Sequence, residues 1–529
     1  MKIKNNYEAV INLPSNKFSI MLKSILVGLL TGILISAYRF VLVYAGEISL
    51  KLYSWLGNHI EASPIALLVL VAGGLLIGFL VSRYNMISGS GIPQVKGIMM
   101  GYFNNNWLST LLAKFFGGAL CILAGLSLGR EGPSIQLGSC IAQGVGNKLA
   151  STRTEKKILI ASGAGAGLAA AFNAPLAGAM FALEEIFRYF SPVILLSTLV
   201  SAIAADFVSK IVFGMNPVFQ FGELNVIPLE SYWIFFILGV ILGVFGAFHN
   251  YILLSIQKLY KRINIIVRPV IPFLMAGVLG LYFPLVTGSG HPIIDELGVS
   301  ASISFLFTLL IIKFLFSMIS FGSGAPGGIF FPLLMTGAII GGIFGHVTVD
   351  FIGYEVGYIN NFIILAMAGF FTAIVRAPIT GVILLVEMTG SFSHLLPLTV
   401  VSVTSYVIAD LMKSAPIYES LLENLIKGRK AEKARQDDGK KITLEMIVHH
   451  GSQIENKQIK EIDFPASCLL IAVRRRGKDI IPRGNTRILA EDYLVILTDL
   501  AEEAKTRKYI AELIGKKGNG NCTDRGKST

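Results

Sequence analysis

Charge is scarce in this chain. Only 15% of its 529 residues are Asp, Glu, Lys or Arg, where a soluble protein carries about 25%. That shortage excludes an ordinary soluble fold for most of the length. Cysteine is scarce too: Cys121, Cys140, Cys468 and Cys522 have no metal-ligand spacing, which argues against a disulfide framework and a zinc site. No phosphate-binding loop is found, and no metal or cofactor is expected. A cleavable signal is also missing. Residues 1–17 are polar, and no small-residue cleavage site follows the first apolar window, so that window is expected to stay as a helix behind a cytoplasmic N-terminal segment.

What is abundant is apolar surface and glycine. Hydrophobic residues make up 53% of the chain, with 55 glycines, and mean hydropathy is +0.67. Small residues let membrane helices approach closely, so this is the profile of a polytopic membrane protein. Roughly eleven apolar windows approach the length needed for a hydrocarbon core; among them are 20–44, 65–81, 234–254 and 362–386. The net charge of +12 raises nucleic acid as a partner. Basic residues concentrate in loops and the tail, however, as the cytoplasmic side of a membrane protein requires, so nucleic acid is set aside.

Composition changes abruptly near Lys427. The membrane body is expected over 18–426, a charged linker over 427–441, a small soluble domain over 442–515 and a disordered tail over 516–529. Within that domain, residues 468–473 and 493–497 read as strands, and 501–514 as an amphipathic helix stopped by Gly515.

The membrane body repeats itself, over about 20–220 and 225–425. Gly89-Ser-Gly-Ile-Pro93 recurs 199 positions later as Gly288-Ser-Gly-His-Pro292. Gly129-Arg-Glu-Gly-Pro133 keeps its outer Gly and Pro in Gly328-Ile-Phe-Phe-Pro332, again 199 on. Ala174-Pro-Leu-Ala-Gly178 returns 203 on as Ala377-Pro-Ile-Thr-Gly381. Asn216-Pro-Val-Phe219 and Ala415-Pro-Ile-Tyr418 form a further candidate pair at 199. A duplicated fold with Gly/Pro-broken segments at matching positions points to a transporter or channel, its site lying where broken helices meet at mid-membrane. The repeat alone leaves parallel and inverted halves open.

Gly89-Ser-Gly-Ile-Pro93, Gly129-Arg-Glu-Gly-Pro133, Gly328-Ile-Phe-Phe-Pro332 and the tyrosine of Pro416-Ile-Tyr418 resemble the anion-site signatures of the CLC chloride channel and transporter family, in the family's order and spacing. The resemblance spans residues 17–425. It implies an all-α fold of two inverted repeats built from broken and tilted helices, and a homodimer with one anion pathway per subunit. Chloride would then be held by Ser90, Gly91, Ile329, Phe330 and Tyr418. The physics agrees. Helix N-termini offer backbone N–H groups and the positive end of the dipole to an anion. Glycine allows close approach, and proline in a first turn sacrifices no hydrogen bond. Serine in the first turn is the family's chloride-type choice. For Ser90 a helix cap, and for Tyr418 an interfacial anchor, are the plainer readings.

Glu131 is the gating and proton-coupling candidate. A carboxylate at a helix start inside a membrane is costly and marks function by default. Carrying one negative charge, it can compete with chloride for one pocket, and protonation would release it. Its repeat partner is Phe330, so the acid does not belong to the shared architecture. The competing reading pairs it with Arg130. Glu184 has a repeat partner in Glu387, which suggests helix capping, or pairing with Arg376 or Arg188. Glu185 has Met388 opposite it, and the resemblance makes it the internal proton-transfer glutamate of exchangers; a solvated helix end is the alternative. The tail resembles the RCK C-terminal (TrkA-C-like) domain through Gly477-Lys-Asp-Ile-Ile-Pro-Arg-Gly484 and Glu491-Asp-Tyr-Leu-Val495. Such domains are α/β, dimerise and bind small regulators. No CBS pair is evident, which suggests a prokaryotic plasma-membrane protein.

The expected function is proton-coupled chloride antiport. A passive voltage- or ligand-gated chloride channel is the first alternative. A remote one is an intramembrane serine protease using Ser90 or Ser289 with His249, His291 or His346.

Overall fold

The computed structural model describes residues 14–188, 190–219, 221, 227–290, 292–298, 301–433, 441–466, 468–475, 478–499 and 502–515. Eight of its helices are long and apolar enough to cross a membrane, and three shorter apolar ones accompany them. This is a multi-pass membrane protein with a small sheet domain at its C-terminal end.

The first half runs α1 (Pro14–Asn58), α2 (Ser63–Arg83), α3 (Ile92–Met99), α4 (Trp107–Leu123), α5 (Glu131–Leu149) and α6 (Arg153–Phe172). Then come α7 (Pro175–Phe181), which passes into a π-helical turn (Ala182–Phe187), and α8 (Pro192–Phe213). The second half runs α9 (Trp233–Tyr260), α10 (Val270–Tyr282), α11 (Ile293–Glu296), α12 (Ile303–Gly322), α13 (Phe330–Ile352) and α14 (Ile359–Val375). It ends with α15 (Pro378–Thr389), α16 (Leu395–Leu411) and α17 (Ile417–Lys433). The starts are written in the sequence. Proline occupies the first turn of α2, α3, α7, α8 and α15, where its missing N–H has no intrahelical partner to lose. Asn106, Thr152 and Ser302 cap α4, α6 and α12 with their side-chain oxygens.

The repeat is visible in the backbone. Gly89 and Gly288 have φ of 63° and 61°, Gly91 and Gly290 91° and 89°, and Gly125 and Gly324 81° and 83°. Contacts between the halves are reciprocal. Gly89 N–H donates to Gly324 O at 3.2 Å, and Gly288 N–H donates to Gly125 O at 2.9 Å. At the centre Gly129 and Gly328 exchange two hydrogen bonds of 2.7 Å across an antiparallel bridge. Partner positions that swap contacts in this way are related by a two-fold axis. The chain crosses that axis in opposite directions before α5 and α13, so the halves are inverted.

Burial sorts the helices. Over their most apolar 18 residues, 83% and 89% of positions are buried in Phe330–Ile352 and Val356–Val375, against 22% in Ile60–Arg83. The broken helices and their neighbours thus form the centre, and α2 lies at the periphery. Glycines close the central crossings: a Cβ on Gly163 of α6 would meet the Cβ of Ala142 on α5 at 2.6 Å.

Two expectations change here. The window 362–386 is not one helix; it breaks at Arg376 (φ 68°) and Ala377, between α14 and α15. Phe219, the supposed counterpart of Tyr418, begins no helix, and its N–H donates to Met388 O at 3.0 Å.

The chain divides into two compact units between Glu423 and Asn424. Helix α17 runs on to Lys433, into the stretch expected as linker. The second unit contains β1 (Lys441–Ile447), β2 (Cys468–Arg475), β3 (Lys478–Ile480), β4 (Tyr493–Asp499) and α18 (Glu503–Ile514). The sheet is antiparallel with order β1-β4-β2-β3. Leu444, Val473, Leu494, Ile496 and Ile510 fill its core. Arg475 and Asp492 make a bidentate pair at 2.8 Å beside it, and this hydrogen bond holds the Arg475 guanidinium above its ordinary range. The tail from 516, with Cys522, and His291 lie outside the described residues.

Candidate functional site

Three helix starts meet at the two-fold axis. The turn Gly89-Ser90-Gly91 leads into α3, and Gly91 at φ 91° takes a left-handed conformation that favours glycine. Gly132, in the first turn of α5, packs on that turn: a Cβ there would sit 2.8 Å from the backbone oxygen of Ser90. The Gly129–Gly328 bridge sets the start of α13 beside the start of α5. First-turn N–H groups have no intrahelical acceptor, so these starts concentrate donors in one buried place.

Two buried lysines hold the turns open. Lys114 Nζ donates to the carbonyls of Ile87, at 2.8 Å, and Gly89. Lys313, 199 residues on, donates to Val286 O at 2.9 Å and Gly288 O at 3.2 Å. With carbonyls turned toward the ammonium, the amides of each turn are left to face the other way. Sequence reading passed over both lysines. The signal was present: a lysine in a membrane helix has a role by default.

Every anion-site candidate from the sequence is buried. Ser90, Ile329, Phe330 and Tyr418 are each at most 1% exposed. Ser90 Oγ accepts from Ile92 N–H at 3.3 Å, so it serves the helix start while its own proton stays available. The Tyr418 hydroxyl has no hydrogen-bond partner among the described residues. Tyr418 is therefore no interfacial anchor. A buried hydroxyl without an acceptor calls for an explanation, and an anion is one. Phe330 opens α13 and packs its ring on Phe172, Phe181 and Phe371.

Glu131, the first residue of α5, is fully buried. Its Oε2 lies where a Cβ on Gly129 would be, back toward the bridge. Neither oxygen meets hydrogen-bond geometry, although the N–H groups of Phe331 and of Glu131 itself are near enough to act on it. Arg130 Nε is 3.9 Å away, the outer limit of an ion pair. A cavity of ≈ 320 Å³ opens on Glu131 and is lined also by Arg130, Glu47, Ser289 and Phe331.

Glu184 and Glu387 cap each other's repeat. Glu184 accepts from the N–H groups of Ile379 and Thr380, at 3.3 and 2.8 Å, at the start of α15. Glu387 accepts from those of Leu176 and Ala177, at 3.0 and 2.8 Å, at the start of α7. Capping is thus the role of this pair; Arg188 turns instead to Glu185 and Glu419. Glu185, in the π-helical turn, is no solvated helix end. It is buried and paired with Lys96 of α3 at 2.6 Å. Lys96 was also missed from sequence. Tyr418 stands within electrostatic reach of both Glu185 and Glu131. Among the described residues neither Ser90 nor Ser289 hydrogen-bonds a histidine; His291 lies outside them.

Comparison with known proteins agrees with this architecture. The sequence profile described as voltage gated chloride channel matches residues 73–410, which hold every site candidate but Tyr418. A TrkA-C domain profile matches residues 444–511. The chain is 35% identical over 443 residues to a protein of Vibrio parahaemolyticus named H(+)/Cl(-) exchange transporter ClcA, covering 80% of this chain and 93% of that one. A solved slow cyanobacterial Cl-/H+ antiporter is 32% identical with a TM-score of 0.71, covering 79% of this chain and 99% of its own. A eukaryotic CLC transporter is 25% identical with a TM-score of 0.66, covering 78% of this chain and 74% of its own. With a profile that matches well over half its length and a 35% identical relative covered to 93%, the chain belongs to the voltage gated chloride channel family.

Proposed function

We propose that this protein is a proton-coupled chloride antiporter of a prokaryotic plasma membrane, working as a homodimer with one pathway in each subunit. One observation carries the reading: a buried carboxylate, Glu131, lies back over a cluster of helix N-termini that would otherwise suit an anion. Chloride and the Glu131 carboxylate carry the same charge and compete for the same donors. Ser90, Gly91, Ile329, Phe330 and Tyr418 hold the ion, the first and last through hydroxyls and the others through helix-start amides. Protonated, Glu131 loses its attraction to those amides and swings away, and the anion moves. Chloride transit and proton transit thus alternate at one place. Glu185 passes protons between that place and the inner face. The names of the Vibrio and cyanobacterial relatives support exchange over passive conduction.

Residues 18–426 carry the transport, residues 427–441 connect it to the tail, and the domain at 442–515 takes a small regulatory ligand. The test is flux in liposomes. A chloride gradient alone should drive protons uphill against no other force. Chloride flux with no accompanying proton movement would make the protein a channel instead.

A further inference from the structure

Lys96 and Glu185 form an ion pair at 2.6 Å with both side chains buried. Burial of two charges is costly unless each compensates the other. A proton carrier must exist for part of its cycle in the neutral form. When Glu185 is neutral, the Lys96 ammonium loses its counter-charge, and something else must supply it.

The position of Lys96 identifies the supplier. It lies in α3, whose first turn begins at the Gly89–Ser90–Gly91 loop. Ile92 and Lys96 are four residues apart, one helical turn or about 6 Å of rise. An anion held at that loop, whether chloride or the Glu131 carboxylate it competes with, is a negative charge beside α3 that can come and go, and in the Glu131→Gln variant only chloride remains. The helix is short and tightly set: a Cβ at Gly97 would meet the ring of Phe103 and, at 3.2 Å, Leu422. Loop and lysine therefore move together.

Neither member of the pair belongs to the duplicated architecture. Lys114 and Lys313 are repeat partners with the same carbonyl-binding task. Lys96 has Asp295 at its repeat position, and Glu185 has Met388. Groups required only for folding a two-fold scaffold would be expected in both halves. Among the described residues, the other charged or titratable groups facing Glu185 are Arg188, 3.7 Å from its Oε2, Glu184 of its own segment, and Tyr418 of α17. Arg188 is a second cation beside Lys96, Glu419 is paired with it, and Glu184 is engaged at the start of α15, so none of them supplies the missing negative charge.

We propose that Lys96 is a positioning residue that couples chloride occupancy of the Ser90 turn to protonation of Glu185: chloride arriving beside α3 compensates the ammonium and frees Glu185 to accept a proton. This rests on the antiport reading, and it predicts that chloride binding carries linked proton uptake even when the outer acid is silent. The experiment uses the full chain in detergent, in the Glu131→Gln background, with sodium chloride as titrant. Isothermal titration calorimetry in two buffers of different ionisation enthalpy counts the protons taken up. Uptake should be present in Glu131→Gln and lost when Glu185→Gln is added. It should also be lost with Lys96→Gln, which keeps a hydrogen bond to Glu185 but no charge, and be retained with Lys96→Arg.

A lysine needed only for packing would lower stability without changing the proton count. Uptake that survives Lys96→Gln overturns the proposal. So does uptake that survives Glu185→Gln, a variant that keeps a partner for Lys96 and so does not depend on Lys96→Gln folding. Failure of the antiport reading appears elsewhere, as absent proton pumping by the wild-type protein in liposomes.

Discussion

At the scale of single residues, the chemistry rests on groups that the two-fold scaffold does not require. Glu131 stands where the other repeat has Phe330, and its carboxylate turns back toward Gly129 while Arg130 stays 3.9 Å away. Replacement by Gln or Ala removes the titrating group and leaves the amides in place. Proton coupling should be abolished in both variants while chloride still passes, measured by simultaneous proton and chloride flux. Coupling at the wild-type ratio in either variant would remove Glu131 from the mechanism. Glu185→Gln should reduce proton flux and leave chloride binding nearly intact, because Glu185 meets Lys96 and not the helix starts. Loss of chloride binding by the folded variant, read calorimetrically, would make Glu185 structural. These acids were legible because a carboxylate in an apolar run stands out and because the repeat separates shared from unshared residues. Lys96, Lys114 and Lys313 were equally visible as residues. Their partners were not: a carbonyl at Ile87 or an acid 89 positions away enters no sequence pattern.

At the scale of elements, the fold depends on helix ends that are completed by the opposite repeat. Glu184 caps α15 and Glu387 caps α7, so neither half can satisfy its own broken helices. A charged acceptor at a helix start adds the dipole interaction to the hydrogen bond. Glu387→Ala should destabilise the protein by about 1–2 kcal/mol, the range for losing such a cap, and Glu387→Gln by less, since the amide oxygen still accepts. Thermal unfolding in detergent reads both. Equal melting temperatures for wild type and Glu387→Ala would show the cap to be dispensable. The motif starts and the offsets of 199 and 203 residues were legible because Gly and Pro mark breaks wherever they fall. The break between α14 and α15 was marked by Ala377-Pro378 but hidden in the apolar window 362–386, because Arg376 enters the left-handed region without a glycine. The π-helical turn that carries Glu185 leaves no mark in hydrophobic periodicity either.

At the scale of the whole molecule, the division of the chain into two compact units falls inside α17, between Glu423 and Asn424. Tyr418, proposed above to hold the ion, is the second residue of α17, and the helix continues to Lys433. Composition placed the boundary at Lys427, where charge begins. Charge marks the point at which a helix leaves apolar surroundings, not the point at which it stops. The second unit has a core of its own around Val473, Leu494 and Ile510, and a closed four-stranded sheet order. A chain ended after Lys433 therefore keeps all of α17 and removes no residue assigned to chloride or protons. It should fold, bind chloride with unchanged affinity and exchange it for protons at the wild-type ratio. What it should lose is any response to a ligand of the TrkA-C-like domain. A ligand shifts transport only through unequal affinity for two conformations, and without its domain it has neither to bind. Calorimetric chloride affinity and coupled flux on the shortened protein test this together. A shortened protein that folds but no longer binds chloride would mean that the second unit completes the anion site, and that α17 carries more than Tyr418 to it.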